Sequence, residues 1–180
     1  MIVKKNILKN LKTINKEYRH ASTRPVHTEL FAKLAILELC GWIEDGVDYM
    51  VLSYAKRYVR AQDNIKYFEE TVKKVHNLGY ENYRFLMTVL IGLPNFEYLE
   101  RNIDPQILQN FKATMNYLKT SRDKLSHTYT VVVTRQIDGP SVTIQNFEKI
   151  YKGFKSFEKM LRTLKPVSRP QVNTARRVAK

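Results

Sequence analysis

From Ile7 to Leu164, apolar residues recur every three or four positions in segment after segment. That spacing points to helices packed together by their apolar stripes. The first stripe is Ile7, Leu8, Leu11, Ile14 and Tyr18, with lysines between, and predicts a basic amphipathic helix. Arg24-Pro25 ends it or follows its end. A second helix is predicted from about Thr28 to Cys40, capped by Thr28 and closed by Gly41, with Leu30, Phe31, Leu34 and Leu37 on one face. Beyond Trp42, Val47, Met50, Val51, Tyr54 and Tyr58 repeat at helical spacing. Ile65, Phe68, Val72 and Val75 mark a helix from about Asn64 to His76, stopped by Asn77-Leu78-Gly79. A short apolar helix from Tyr83 to Leu93 ends at Pro94. Asp104-Pro105 is the cleanest helix start in the chain, a capping aspartate followed by proline at the first position. Leu108, Phe111, Met115, Leu118 and Leu125 then share a face. The last helix carries Phe147, Ile150, Phe154, Phe157, Leu161 and Leu164, with Asn146 as its cap, and Pro166 and Pro170 end it.

One stretch breaks the pattern. Val131-Val132-Val133-Thr134, then Asp138-Gly139-Pro140, then Val142-Thr143-Ile144 read as extended with a turn between, so a short hairpin near 129–144 is expected. The fold class expected is all-α, an up-and-down helical bundle interrupted at most by that segment. A helical domain over 1–165 followed by a basic flexible tail, 166–180, is the expected organisation.

The chain has 180 residues, long enough for a hydrophobic core without staples. Its single cysteine, Cys40, follows Leu34-Ala35-Ile36-Leu37 and reads as a core filler; no intramolecular disulfide is possible, which suits a reducing cytoplasm. Lysines break the N-terminus every few residues, unlike a signal peptide. The most apolar run, Phe85 to Leu93, is about half the length that spans a bilayer. The net charge of +14 lies at the ends: +6 over residues 1–25 and +8 over 152–180, on a neutral middle. Basic ends on a neutral body read as contacts to a polyanion, with RNA the expected partner, against solubility or a membrane surface as the other uses of such charge.

Neither a Gly-rich phosphate loop, nor a paired-cysteine metal site, nor an HExxH helix is present. What remains is Arg122-Asp123-Lys124-Leu125-Ser126-His127-Thr128-Tyr129. Continued from Pro105, one helix puts 111, 115, 118, 122 and 125 within roughly 80° of one another. Arg122 therefore falls inside an apolar stripe. It needs an anionic partner, a subunit interface or a wet cleft, or else it snorkels to water. His127 lies about 140° round a straight helix from it. The two can meet if the helix breaks at Thr120-Ser121, which would set the motif at a phosphate-favouring helix N-terminus, or if two protomers bring two copies together. Asp123 and His127 are four apart, so the aspartate could orient the imidazole. His20, His27 and His76 have no such neighbourhood and read as surface or capping residues.

Arg122-x4-His127 resembles the R-x4-6-H motif of HEPN-domain ribonucleases. Extended to Tyr129, it is similar to the form in HEPN toxins paired with nucleotidyltransferase antitoxins. The order of helices, with the motif late and one long helix after it, resembles the RiboL-PSP-like HEPN group. The resemblance covers most of residues 26 to 165, and only the motif is specific. Asp123 departs from the asparagine that often follows the arginine. The resemblance implies a HEPN-type bundle and RNA cleavage at a dimer interface, with neither metal nor other cofactor. His127 would be general base or acid at a ribose 2′-hydroxyl or the leaving oxygen. Arg122 would stabilise phosphate charge, Ser126 could add a hydrogen bond, and Tyr129 would contact substrate or be modified by an antitoxin, or else be an ordinary packing aromatic. Lys119, Lys124, Arg169, Arg176 and Arg177 are the expected RNA-binding residues. The resemblance also implies a toxin or anti-phage role. The competing expectations are a non-catalytic helical module that binds RNA or protein, and a helical subunit that only assembles with another protein.

Overall fold

The apolar stripes become seven helices in the computed structural model, which describes residues 2–21, 23–75, 77–126 and 137–164. They are α1 (Lys5–His20), α2 (Pro25–Tyr58), α3 (Gln62–Lys74), α4 (Tyr80–Ile91), α5 (Leu93–Asn102), α6 (Pro105–Ser126) and α7 (Pro140–Thr163). The chain is an all-α helical bundle, with no strand among the described residues.

α2 is the central element and packs against α1, α3, α4, α6 and α7. Its early end at Gly41 does not occur. The helix runs on through Gly41 and Gly46 because the apolar periodicity continues in Ile43, Val47, Met50 and Val51, all buried. Neither glycine has a positive φ. A Cβ on Gly46 would lie 3.0 Å from Phe154 Cε2, so this glycine lets α7 approach, whereas a Cβ on Gly41 would meet nothing within 4 Å. Gly41→Ala is therefore expected to stabilise the protein by up to about 1 kcal/mol through helix propensity alone, read as a rise in melting temperature.

α1 buries Ile7, Leu11 and Ile14, as its stripe predicts. Trp42 Nε1 donates to Val3 O at 3.1 Å and Asn10 Nδ2 to Glu38 Oε1 at 2.7 Å, so α1 runs antiparallel to α2. α3 buries little but Val72. The expected stop at Gly79 is instead the approach to α4: Gly79, at φ +130°, precedes the first residue of that helix. Pro94 does not terminate α4. Gly92, at φ +80°, turns the chain after Ile91, and Pro94 sits in the first turn of α5, a helix not among those expected although Phe96, Leu99 and Ile103 recur at helical spacing.

α7 starts at Pro140, six residues before the expected cap, and Asn146 is buried inside it. Residues 140–144 are thus helical rather than half of a hairpin. Gly139-Pro140 acts as a helix start, with proline in the first turn, and packing of Thr143 and Phe147 overrides the β-branched run. Residues 127–136, the rest of the expected hairpin, lie outside the described residues, as does the tail from 165.

The core gathers Tyr83, Phe96, Phe111, Phe154 and Phe157 from four helices. Most of these rings meet edge to face, with Tyr83–Phe157 centroids 5.1 Å apart, and Phe96 stacks on Phe157 at 6.1 Å. Gly153 on α7 faces Phe111 so closely that a Cβ there would be 2.2 Å from Phe111 Cδ2 and 2.8 Å from its Cβ.

Candidate functional site

α6 is set up by its first turn. Asp104 Oδ1 accepts from Ile107 N at 3.0 Å, as the Asp-Pro pair predicts. Phe111, Met115, Leu118 and Leu125 are buried along it, which carries Arg122 into the apolar face one turn before the helix ends. A break at Thr120-Ser121, one of the two ways in which Arg122 and His127 could meet, does not occur. Thr120 Oγ1 instead donates to Asn116 O at 3.1 Å, and the helix continues to Ser126. The motif therefore does not sit at a helix N-terminus, and that route to a phosphate site is removed.

Of the alternatives open to Arg122, the anionic partner is the one realised. Its Nη1 donates to Glu44 Oε1 on α2. Nη2 donates to Asn77 Oδ1 at 2.8 Å, and Nε and Nη2 donate to Asp123 Oδ1 at 3.3 and 3.1 Å. The side chains of Arg122 and Glu44 are only 22% and 18% exposed, so this pair is far less screened than a surface one. Cys40 sits beside it, with Sγ 3.9 Å from Leu118 O. Burial pushes the thiol up to about 12, and the Arg122 charge offsets only part of that, so Cys40 is an inert core residue.

Glu44 and Asn77 are partners that the motif does not name. A signal for Glu44 exists: it shares a face of α2 with the buried Cys40, Val47 and Val51, within about 60°. Two charges of opposite sign thus interrupt two apolar stripes, and they meet. Glu44→Gln keeps an acceptor but removes the charge. It is expected to cost about 1–2 kcal/mol in urea denaturation, below the cost of breaking a fully buried pair. Asp123→Asn, at a half-exposed position, should cost under about 0.5 kcal/mol.

The other predicted residues divide by position. Asp123 bonds to Arg122, and Ser126 Oγ donates to Asp123 O at 3.4 Å. Lys119 Cδ lies 3.0 Å from where a Cβ on Gly79 would be, so its stem covers the start of α4. Lys124 is exposed. His127 and Tyr129 lie outside the described residues, as do Arg169, Arg176, Arg177 and His76. His20 and His27 are exposed.

The basic N-terminus takes a definite form. Lys5, Lys9, Lys12 and Lys16 are exposed along α1, and with Lys4, Leu8 and Thr13 they line one shallow groove. The apolar face of α1 is spent on the core, so a membrane could meet this helix only through its lysines. No helix among the described residues is long and apolar enough to cross a membrane. Among the described residues, no three His, Cys, Asp or Glu side chains are grouped to hold a metal ion. No protein-family model matches the chain, and no curated protein or solved structure matches it either.

Proposed function

We propose that the chain is a metal-independent endoribonuclease of the HEPN type, cutting RNA with Arg122 and His127 at the interface of a homodimer in the cytoplasm. A toxin or anti-phage role, held in check by an antitoxin protein, is the biological setting proposed with it. The observation that carries this reading is the anchoring of Arg122. A guanidinium clamped from α2, from the segment before α4 and from its own helix cannot swing away. Catalysis of phosphoryl transfer rewards such preorganised charge. His127 follows Ser126, the last described residue of α6, so in sequence the imidazole is only five residues from that fixed cation. The lysine face of α1 supplies phosphate affinity. Val26, Leu30 and Leu34, each close to half exposed and four residues apart on α2, offer a second copy an apolar ridge to bury.

One observation favours a second reading. Glu44 and Asp123 already offset the Arg122 charge, which is what a purely structural ion pair would need. On that reading the chain is a helical module that binds RNA or a partner protein and does not cut. Product ends separate the two. A 2′-hydroxyl attack leaves a 2′,3′-cyclic phosphate, so RNA incubated with purified protein in EDTA is expected to yield such ends by mass spectrometry. Intact RNA, or fragments with free 3′-hydroxyls, would refute the nuclease.

A further inference from the structure

A cleft of about 120 Å³ opens between the C-terminal half of α2 and the last turns of α7, away from Arg122. Met50 and Leu161, both buried, form its floor. Tyr54 and Tyr58 form one wall, half-buried, with ring centroids 4.5 Å apart. The Arg57 guanidinium lies over the Tyr58 ring, 5.7 Å from its centroid. Tyr49, Ser53 and the half-exposed Arg162 complete the rim. Inside the other wall is Glu158, whose carboxylate accepts from Lys155 Nζ and Arg162 Nη2, each at 3.0 Å.

We infer that this cleft takes an unpaired nucleobase of single-stranded RNA, a reading that rests on RNA being the partner proposed above. Three features select that ligand. Tyrosine faces and an arginine plane are the surfaces on which unstacked bases lie, and they accept any base because every base has a π-face. The Glu158 carboxylate, its charge offset by Lys155 and Arg162, is an acceptor toward which a base can turn ring N–H and amino donors. Arg57 and Arg162 stand at the rim, where the strand's phosphates would pass. A base in a duplex is stacked and cannot enter, so the site selects single strands. Bases should therefore be gripped here by stacking, while the lysines of α1 hold phosphates.

The test is fluorescence anisotropy with a labelled 2′-O-methyl RNA 12-mer, which the proposed cleavage chemistry cannot cut, beside an abasic strand of equal length and a duplex. Wild type is expected to prefer the base-bearing single strand to both. Tyr54→Leu/Tyr58→Leu should bind that strand about tenfold more weakly, with unchanged affinity for the abasic strand and an unchanged salt slope. Ser53→Trp, which fills the cleft while leaving the core untouched, should reproduce the loss if the tyrosine variant does not fold. Equal affinity of both variants and wild type for the base-bearing strand would overturn the site, as would an equal loss on the abasic strand or duplex binding as tight as single-strand binding. The two readings fail separately. Cleavage by wild type together with unaffected binding by the variants removes only the cleft. Stacking-dependent binding by a protein that never cuts removes only the nuclease.

Discussion

Gly153→Ala is expected to destabilise the bundle by about 2 kcal/mol, even though alanine is the better helix former. Propensity alone would favour alanine by about 1 kcal/mol. Against this, the new Cβ would lie 2.2 Å from Phe111 Cδ2, 2.5 Å from Cγ and 2.8 Å from Cβ. A ring can rotate, but the Phe111 Cβ is fixed by its own backbone, so α6 and α7 must move apart. Overpacking of this kind costs about 3 kcal/mol. That displacement would loosen the contacts of Phe111 with Tyr83, Phe154 and Phe157 together. For a chain of 180 residues the melting temperature should fall by about 5 °C, the opposite direction to Gly41→Ala. Equal behaviour of the two alanine variants would mean that the α6–α7 contact is looser than described.

The contrast between these glycines marks what the sequence can and cannot convey. Helix type is legible, and so is facing where a stripe such as Phe147, Ile150, Phe154, Phe157 and Leu161 has a single period; in the first half of α2 it is not, since Leu30 and Leu34 of the expected face are about half exposed while Ala32, Ala35, Ile36 and Leu39 are buried. The ends are less so. Gly41 resembles a stop, but whether a glycine ends a helix depends on its φ and on the residues beyond it, and here apolar spacing resumes. Val142-Thr143-Ile144 resembles a strand, but Pro140 begins a helix whose buried face outweighs β-branched preference. α5 is hidden because Pro94 stops one helix or starts another, and the local sequence reads the same either way.

The candidate site divides along the same line. That Arg122 needs an anion follows from its place in an apolar stripe and the cost of burying a bare charge. Which anion does not follow, because Glu44 is 78 residues away and its role depends on how α2 crosses α6. Asn77 is harder still, since it lies between helices where no periodicity applies. Spacing pairs Asp123 with His127, which lies outside the described residues; that Asp123 binds Arg122, its neighbour in sequence, is seen only in the fold.

His127→Ala is expected to have the largest effect on function. A general acid or base contributes about 10²- to 10⁴-fold to a rate, so cleavage should fall by about a thousandfold. Melting temperature and RNA affinity are expected to be retained, as for a residue that moves a proton at the reacting atoms, and both are to be measured beside the rate. Arg122→Ala should abolish cleavage too. It would also leave Glu44 without its guanidinium partner, so its loss of activity would be harder to separate from a loss of stability. The histidine variant is the cleaner probe.

The most direct test is the rate of single-turnover cleavage of a labelled single-stranded RNA in EDTA, wild type against His127→Ala, with both proteins folded at the assay temperature. Wild type is expected to cut and the variant to be about a thousandfold slower, with binding unchanged. Undiminished cutting by His127→Ala, or no cutting by wild type, would contradict the proposed chemistry.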